Sequence, residues 1–165
     1  MTAYSIVRWE SFFVAEVGAT AALTGLLFVA VSINLQQILA YAWLPGRAAQ
    51  TLLILGTIMF AATLGLVPGQ SSRVLGVEIA VVAAVAWFAA MRSHWKARTE
   101  QARVATWPRW WAVVGIQLAL VPFIVCGVSL LARWGGGLYW LVPGVVLALV
   151  VALSNAWVLL VEIVR

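Results

Sequence analysis

The stretch that decides the fold runs from Ser11 to Ala40 and reads SFFVAEVGATAALTGLLFVAVSINLQQILA. It contains no Asp, Lys or Arg, and its one acid is Glu16. About 20 apolar residues are enough to cross the hydrocarbon core of a bilayer. The stretch therefore predicts a membrane-spanning helix with turns to spare, and lipid is the solvent that decides how the chain folds.

The composition of the whole chain agrees with this interpretation. Hydrophobic residues make up 65% of the chain and charged residues 9%, whereas a soluble domain has roughly 25% charged residues. The formal net charge of +5 does not indicate a nucleic-acid partner, because the basic residues lie in short connections and form no stripe along an amphipathic element. The composition excludes a soluble globule and makes the lipid bilayer the first partner.

We predict an all-α, polytopic integral membrane protein whose single domain, residues 1–165, is a bundle of five transmembrane helices. The predicted spans are residues 11–40, 47–67, 74–91, 110–132 and 138–164. Residues 92–109 form the only long polar segment, which is either a short interfacial helix or an extension of the third span. Pro68 and Gly69 mark a tight turn between the second and third spans. Pro122 predicts a kink in the fourth span.

The distribution of basic residues predicts the orientation. One membrane face receives three basic residues, and the other receives seven: Arg8, Arg73 and Arg133 against Arg47, Arg92, Lys96, Arg98, Arg103, Arg109 and Arg165. The richer face is expected to be cytoplasmic. We therefore predict a multi-pass protein of the cell (plasma or bacterial-type inner) membrane, with its N-terminus outside, its C-terminus inside and the 92–109 loop in the cytoplasm.

One face of the first span is polar at its ends and apolar in the middle. Glu16 and Asn34 lie five helical turns apart, roughly 27 Å along the axis. The residues on this face are candidates to border an ion path: Glu16, Thr20, Leu23, Leu27, Val31 and Asn34. The apolar middle would act as a dry constriction. The alternative is that Glu16 lies near the headgroups or bonds to a neighbouring helix, because a carboxylate facing lipid is costly.

A second acid, Glu78, joins these candidates. It lies at a depth similar to that of Glu16 under the predicted topology, and Gln70 in the preceding turn is close to it in sequence. The two acids would suit proton sensing or a cation site at an outer vestibule. The alternative is that Glu78 belongs to the membrane interface and pairs with a long arginine side chain, that of Arg73 or Arg133.

Two further sets of residues were singled out by type and spacing. Gln117, Ser154 and Asn155 lie at comparable depth towards the predicted inner side and form either a polar cluster or hydrogen-bonded bridges between helices. Small residues that allow helices to approach closely are Gly18, Ala22 and Gly25 in the first span, Gly65 in the second, and Gly144, Ala148 and Ala152 in the fifth.

The chain carries no pattern that predicts catalysis. It has one histidine, His94, one cysteine, Cys126, and no aspartate, so we predict no metal site and no cofactor. Serines within the spans lack a histidine base, and no phosphate-binding glycine motif occurs. We predict no catalytic residue and no enzymatic activity.

Two functional hypotheses follow. The first is a homo-oligomeric ion channel or transport-like protein, in which first-span residues border a path and other copies of the chain supply the missing walls. The second is a non-conducting structural or regulatory subunit that packs against other membrane proteins through its glycine and alanine faces.

Overall fold

The computed structural model of the chain describes residues 2–41, 44–100 and 109–159. All regular structure in these ranges is helical. The α-helices are α1 (Glu10–Ile33), α2 (Leu35–Ala40), α3 (Leu44–Gly65), α4 (Ser72–Glu100), α5 (Arg109–Ala132) and α6 (Leu141–Trp157). Short 3-10 turns at Thr2–Tyr4, Ile6–Trp9 and Gly137–Trp140 lie before α1 and α6.

Five of these helices are long and apolar enough to cross a membrane. The candidate spans are Ile6–Ile33, Leu44–Gly65, Ser72–Ser93, Val113–Ala132 and Gly137–Trp157. A helix satisfies its own backbone hydrogen bonds, which lipid cannot do, so an apolar segment of this length folds as a helix in a bilayer. The predicted class, an all-α multi-pass membrane protein with five spans, is confirmed.

Four of the long helices form a ring of neighbours. α3 packs on α4, α4 on α5, α5 on α6, and α6 returns to α3, with α4 and α5 making the most extensive contact. α1 lies outside this ring and packs chiefly against α3. One end of the bundle carries the start of α1 and the α3–α4 and α5–α6 turns, and is called the N-terminal face below; the other end is called the opposite face.

The helix bounds differ from the predicted spans most clearly in the first and third spans. The first predicted span, residues 11–40, ends as a helix at Ile33, and α2 follows after Asn34. The third, residues 74–91, continues as α4 to Glu100, so the polar segment begins as an extension of that span. At about 1.5 Å per residue α4 is longer than the ~30 Å hydrocarbon core. The rest of the predicted loop, residues 101–108, and the end of the fifth span, residues 160–164, lie outside the described residues.

The start of the chain is fastened to the α5–α6 turn at the N-terminal face. The Thr2 and Tyr139 hydroxyls form a hydrogen bond of 2.7 Å, and the Trp9 ring meets Tyr139 edge-on at 5.2 Å between centroids. The Trp9 indole also donates to the Thr2 carbonyl at 3.2 Å. Aromatic side chains of this kind favour the membrane interface, and this cluster holds residues 2–9 against the α5–α6 turn.

Candidate functional site

Glu16 is the one acid among the described residues that has a buried oxygen atom without a hydrogen-bond partner. It borders a partly open hollow where α1 meets α3, α5 and α6. The other residues that line this hollow are all apolar: Phe12, Phe13, Ile58, Ala61, Ala62, Phe123, Leu141 and Val145. The hollow has a volume of about 10 Å³, which is at the lower limit for a single water molecule.

The Glu16 carboxyl group lacks the partners that a buried acid normally has. Its Oε2 atom is buried and makes no hydrogen bond, while the residue as a whole is half-buried. The nearby Thr20 hydroxyl donates to the backbone carbonyl of Glu16 at 2.5 Å and does not bond to the Glu16 carboxyl group. Buried polar groups are almost always hydrogen-bonded, so this oxygen calls for an explanation beyond packing.

The other first-span residues predicted to border a path lie on the side of α1 that faces the bundle. Thr20 and Leu27 are buried, and Leu23, Val31 and Asn34 are half-buried. The register with α3 is set where Phe13 contacts Gly65. Seven-residue steps from this contact run through buried residues on both helices: Thr20 and Leu27 on α1, Ile58 and Thr51 on α3. The line from Glu16 to Asn34 thus lies in the seam between α1 and α3.

Asn34 ends this line and also ends α1. Its side-chain Nδ2 donates to the Ala30 carbonyl at 3.0 Å, and its backbone N–H donates to the same oxygen at 3.2 Å. Its backbone angles, φ −98° and ψ 15°, are not helical. Asparagine side chains compete with the backbone for hydrogen-bond partners in this way. The helix α1 therefore ends at this point, and the chain changes direction before α2 begins.

The small residues of α1 take no part in packing among the described residues. Gly18, Ala22 and Gly25 are exposed on the side of α1 away from the seam, and a Cβ atom added to either glycine would meet nothing within 4 Å. The small residues predicted in the other spans lie at helix contacts: Gly65, Gly144, Ala148 and Ala152 are all buried. At Gly144 an added Cβ would lie 3.1 Å from the Phe123 ring.

Glu78 has a different environment from Glu16. The Gln70 amide Nε2 donates to the Glu78 Oε2 atom. Gln70, which lies close to Glu78 in the sequence, is thus its hydrogen-bond partner. The Gln70 Oε1 atom is buried without a hydrogen bond. The two acids therefore have separate surroundings: Glu78 is paired next to the α3–α4 turn, and Glu16 borders the hollow between α1, α3, α5 and α6.

The three residues of the predicted inner cluster have separate environments. The Gln117 Oε1 atom accepts a hydrogen bond of 2.8 Å from the Trp87 indole and so bridges α5 to α4. Ser154 is exposed and donates to the Val150 carbonyl of its own helix at 2.7 Å. Asn155 is buried, and its Nδ2 atom has no partner.

Two structural features were not found from the sequence. Gly76 and Gly127 bring the α4 and α5 backbones together, because a Cβ on Gly127 would lie 2.6 Å from the Gly76 carbonyl oxygen. The available signal was the Gly-x-x-x-Ala spacing of Gly76 and Ala80. The second feature is buried Ser129, whose hydroxyl accepts the Gly137 N–H at 2.8 Å and holds the α5–α6 turn.

Comparison with known proteins assigns no family and no function to this chain. The chain matches no protein family, no curated protein and no solved structure. Within the residues that the structure describes, no three His, Cys, Asp or Glu side chains are placed to hold a metal ion. Glu16 and the seam between α1 and α3 are therefore the candidate functional site.

Proposed function

We propose that this protein is a homo-oligomeric ion channel or transport-like protein of the cell membrane, in which Glu16 handles the cation. The observation that carries the proposal is the buried Oε2 atom of Glu16, which has no hydrogen-bond partner. Ionisable residues inside a membrane are costly and rare, and they usually line an ion or proton pathway. Glu16 lies about 10 Å along the helix axis from Trp9, which is deep enough to leave the headgroup region.

The seam between α1 and α3 is the proposed path. On α1 it has polar groups at both ends, Glu16 and Asn34, and the buried Leu27 side chain in between. The opposing helix adds the buried hydroxyl group of Thr51, one of the seam residues on α3. A polar route interrupted by an apolar constriction is a recurring way to gate a channel.

The position of α1 supplies a way to open this path. α1 packs chiefly against α3, whereas α3, α4, α5 and α6 support one another in a ring. Moving α1 away from α3 would therefore wet the seam without dismantling the rest of the bundle. Once α1 has moved, another surface must replace its contact with α3. A second copy of the chain would supply that surface.

The proposed orientation places Glu16 towards the outside. The N-terminal face carries Arg8, Arg73 and Arg133, and more basic residues belong to the opposite face. The positive-inside rule then puts the opposite face in the cytoplasm. In this orientation cations reach Glu16 from outside before they reach the Leu27 constriction.

Ion flux into liposomes tests the proposal. Purified protein is reconstituted, and proton, Na⁺ and K⁺ entry is followed with ion-sensitive dyes under an imposed potential. Wild-type protein is expected to carry one of these ions, and Glu16→Gln is expected to reduce that flux to the level of protein-free liposomes. Glu78→Gln is the matched control, since Glu78 is paired with Gln70, and should retain the flux. Equal flux in wild type and Glu16→Gln would contradict the proposal.

A second function, a non-conducting structural or regulatory subunit, is favoured by one observation. The exposed side of α1 with Gly18, Ala22 and Gly25 is the kind of surface that packs against another transmembrane helix. This function predicts that other membrane proteins copurify in mild detergent, that Gly18→Leu with Gly25→Leu releases them, and that the purified chain carries no ion.

A further inference from the structure

We infer that the cation taken up by Glu16 is a proton, and that the hollow beside it is a protonation site that does not accept metal cations. This inference rests on the proposed function and deepens it. In the step concerned, a hydronium ion transfers one proton to the Glu16 carboxylate, which leaves a water molecule and a neutral carboxyl group. The reverse transfer to water on the other side of the site restores the carboxylate, so no other reactant is needed.

The first argument is the number of available ligands. Hard metal cations need several oxygen ligands: Ca²⁺ takes about 6 to 8, and potassium sites replace the hydration shell with rings of carbonyl oxygens. Apart from the Glu16 carboxyl group, every side chain that lines the hollow in the described part of the chain is a hydrocarbon. The closest hydroxyl along α1, that of Thr20, is engaged by the Glu16 backbone carbonyl. One carboxyl group is enough to bind a proton and too little to replace the hydration shell of a metal ion.

The second argument is space. The hollow is partly open, and its enclosed part has a volume of about 10 Å³, which is room for about one water molecule beside the carboxyl group. A sodium or potassium ion that kept part of its hydration shell would need several water positions around it. A proton needs only the carboxyl oxygen itself and, for its delivery, a single water molecule.

The third argument is charge. The hollow is lined from every helix around it by uncharged groups: Phe12 and Phe13 of α1, Ile58, Ala61 and Ala62 of α3, Phe123 of α5, and Leu141 and Val145 of α6. No basic side chain and no second acid is among them. An ionised carboxylate in such surroundings is neutralised most simply by taking up a proton. Binding a proton therefore satisfies the charge, the volume and the ligand number together.

Infrared spectroscopy of the protein in liposomes tests this inference directly. At neutral pH the wild-type protein should show a carboxylic-acid C=O band that shifts in deuterated water. Glu16→Gln should remove the band, and Glu78→Gln should leave it in place. Adding Na⁺, K⁺ or Ca²⁺ at constant pH should not change it. The inference is overturned if the band is absent from wild type, if it persists in Glu16→Gln, or if a metal cation converts it to a carboxylate band.

A second measurement separates this inference from the proposed function. Dicyclohexylcarbodiimide reacts with protonated carboxyl groups in apolar membrane sites, so mass spectrometry should find the adduct on Glu16, and excess Na⁺ should not protect against it. A Glu16 adduct and band in a protein that carries no ion would leave the protonation site standing and refute the transport function. Glu16-dependent flux of Na⁺ or K⁺, with protection of Glu16 by that ion, would refute the proton assignment and leave the transport function standing.

Discussion

The ring of Phe13 on α1 fills the space that Gly65 leaves open on α3. A Cβ atom at residue 65 would lie 2.6 Å from the Cε2 and Cζ atoms of that ring, which is fully buried. The contact lies one turn from Glu16, since residues three apart on a helix share a face. It therefore fixes the height of Glu16 against Ile58 and Ala62, and the geometry of the hollow depends on it.

Adding one methyl group at this contact should destabilise the protein. Gly65→Ala forces the buried Phe13 ring to move, and overpacking of this kind costs about 1 to 3 kcal/mol. The free energy of unfolding in detergent micelles, followed by tryptophan fluorescence, should fall by that amount. Gly56→Ala on the same helix is the matched control, because its Cβ would lie 3.7 Å from Phe60. If both variants had the same stability, the Phe13–Gly65 contact would not hold α1 in place.

The crossing of α4 and α5 should tolerate no side chain at Gly127. In Gly127→Ala the new Cβ would lie 2.6 Å from the Gly76 carbonyl oxygen and 2.7 Å from the Ala80 Cβ, and backbone cannot move aside as a side chain can. We expect a lower melting temperature and reduced protease resistance of the α4–α5 pair. Gly115→Ala on the same helix meets Val151 at 3.6 Å and should behave as wild type. A Gly127→Ala protein as stable as Gly115→Ala would show that these helices do not cross here.

The Trp87–Gln117 bridge should make a modest contribution to stability. Gln117→Leu removes the acceptor of the 2.8 Å bond from the indole, and hydrogen bonds between transmembrane helices contribute about 0.6 kcal/mol on average. The free energy of unfolding should fall by about that amount. Ser154→Ala is the control, since the Ser154 hydroxyl bonds only within its own helix. Equal free energies of unfolding in Gln117→Leu and Ser154→Ala would argue against the bridge.

The fastening of the N-terminus should depend on Gly137. Its φ of +54° is strained for any residue with a side chain, and an added Cβ would collide with the Ala3 carbonyl oxygen. Gly137→Ala should therefore release residues 2–9, which hydrogen exchange would report as faster exchange there than in wild type. Gly69→Ala, which also has a positive φ but open space around it, controls for the strain alone. Equal hydrogen exchange in these two variants would show that close packing at Gly137 does not hold residues 2–9 in place.

The sequence was sufficient to predict the spans but not how the first span faces its neighbours. Length and apolar composition determine that a segment crosses the bilayer, so five helices could be predicted without any contact. Helical periodicity also placed Thr20 and Leu27 on one face with Glu16. α1 is apolar nearly all round, however, so nothing in its pattern indicated that this face meets α3 and that Gly18 and Gly25 point away from the bundle.

Other details depend on single contacts that have no periodic signal. The break at Asn34 needs no proline or glycine, because the asparagine side chain itself bonds to the Ala30 carbonyl. The Gln70–Glu78 bond could be anticipated, since a tight turn keeps the two residues near one another. The apolar surroundings of Glu16 are contributed by α3, α5 and α6, and no pattern within α1 could predict them.

Cysteine labelling from one side of the membrane tests the central claim at α4, which should cross the bilayer and leave the basic connection inside the cell. In a Cys126→Ala background, single cysteines replace Ser71 and Trp95, both exposed and near opposite ends of α4. A membrane-impermeant maleimide added to intact cells should label Ser71→Cys at once and Trp95→Cys only after permeabilisation. Labelling of Trp95→Cys from outside, or of both positions from the same side, would contradict the account.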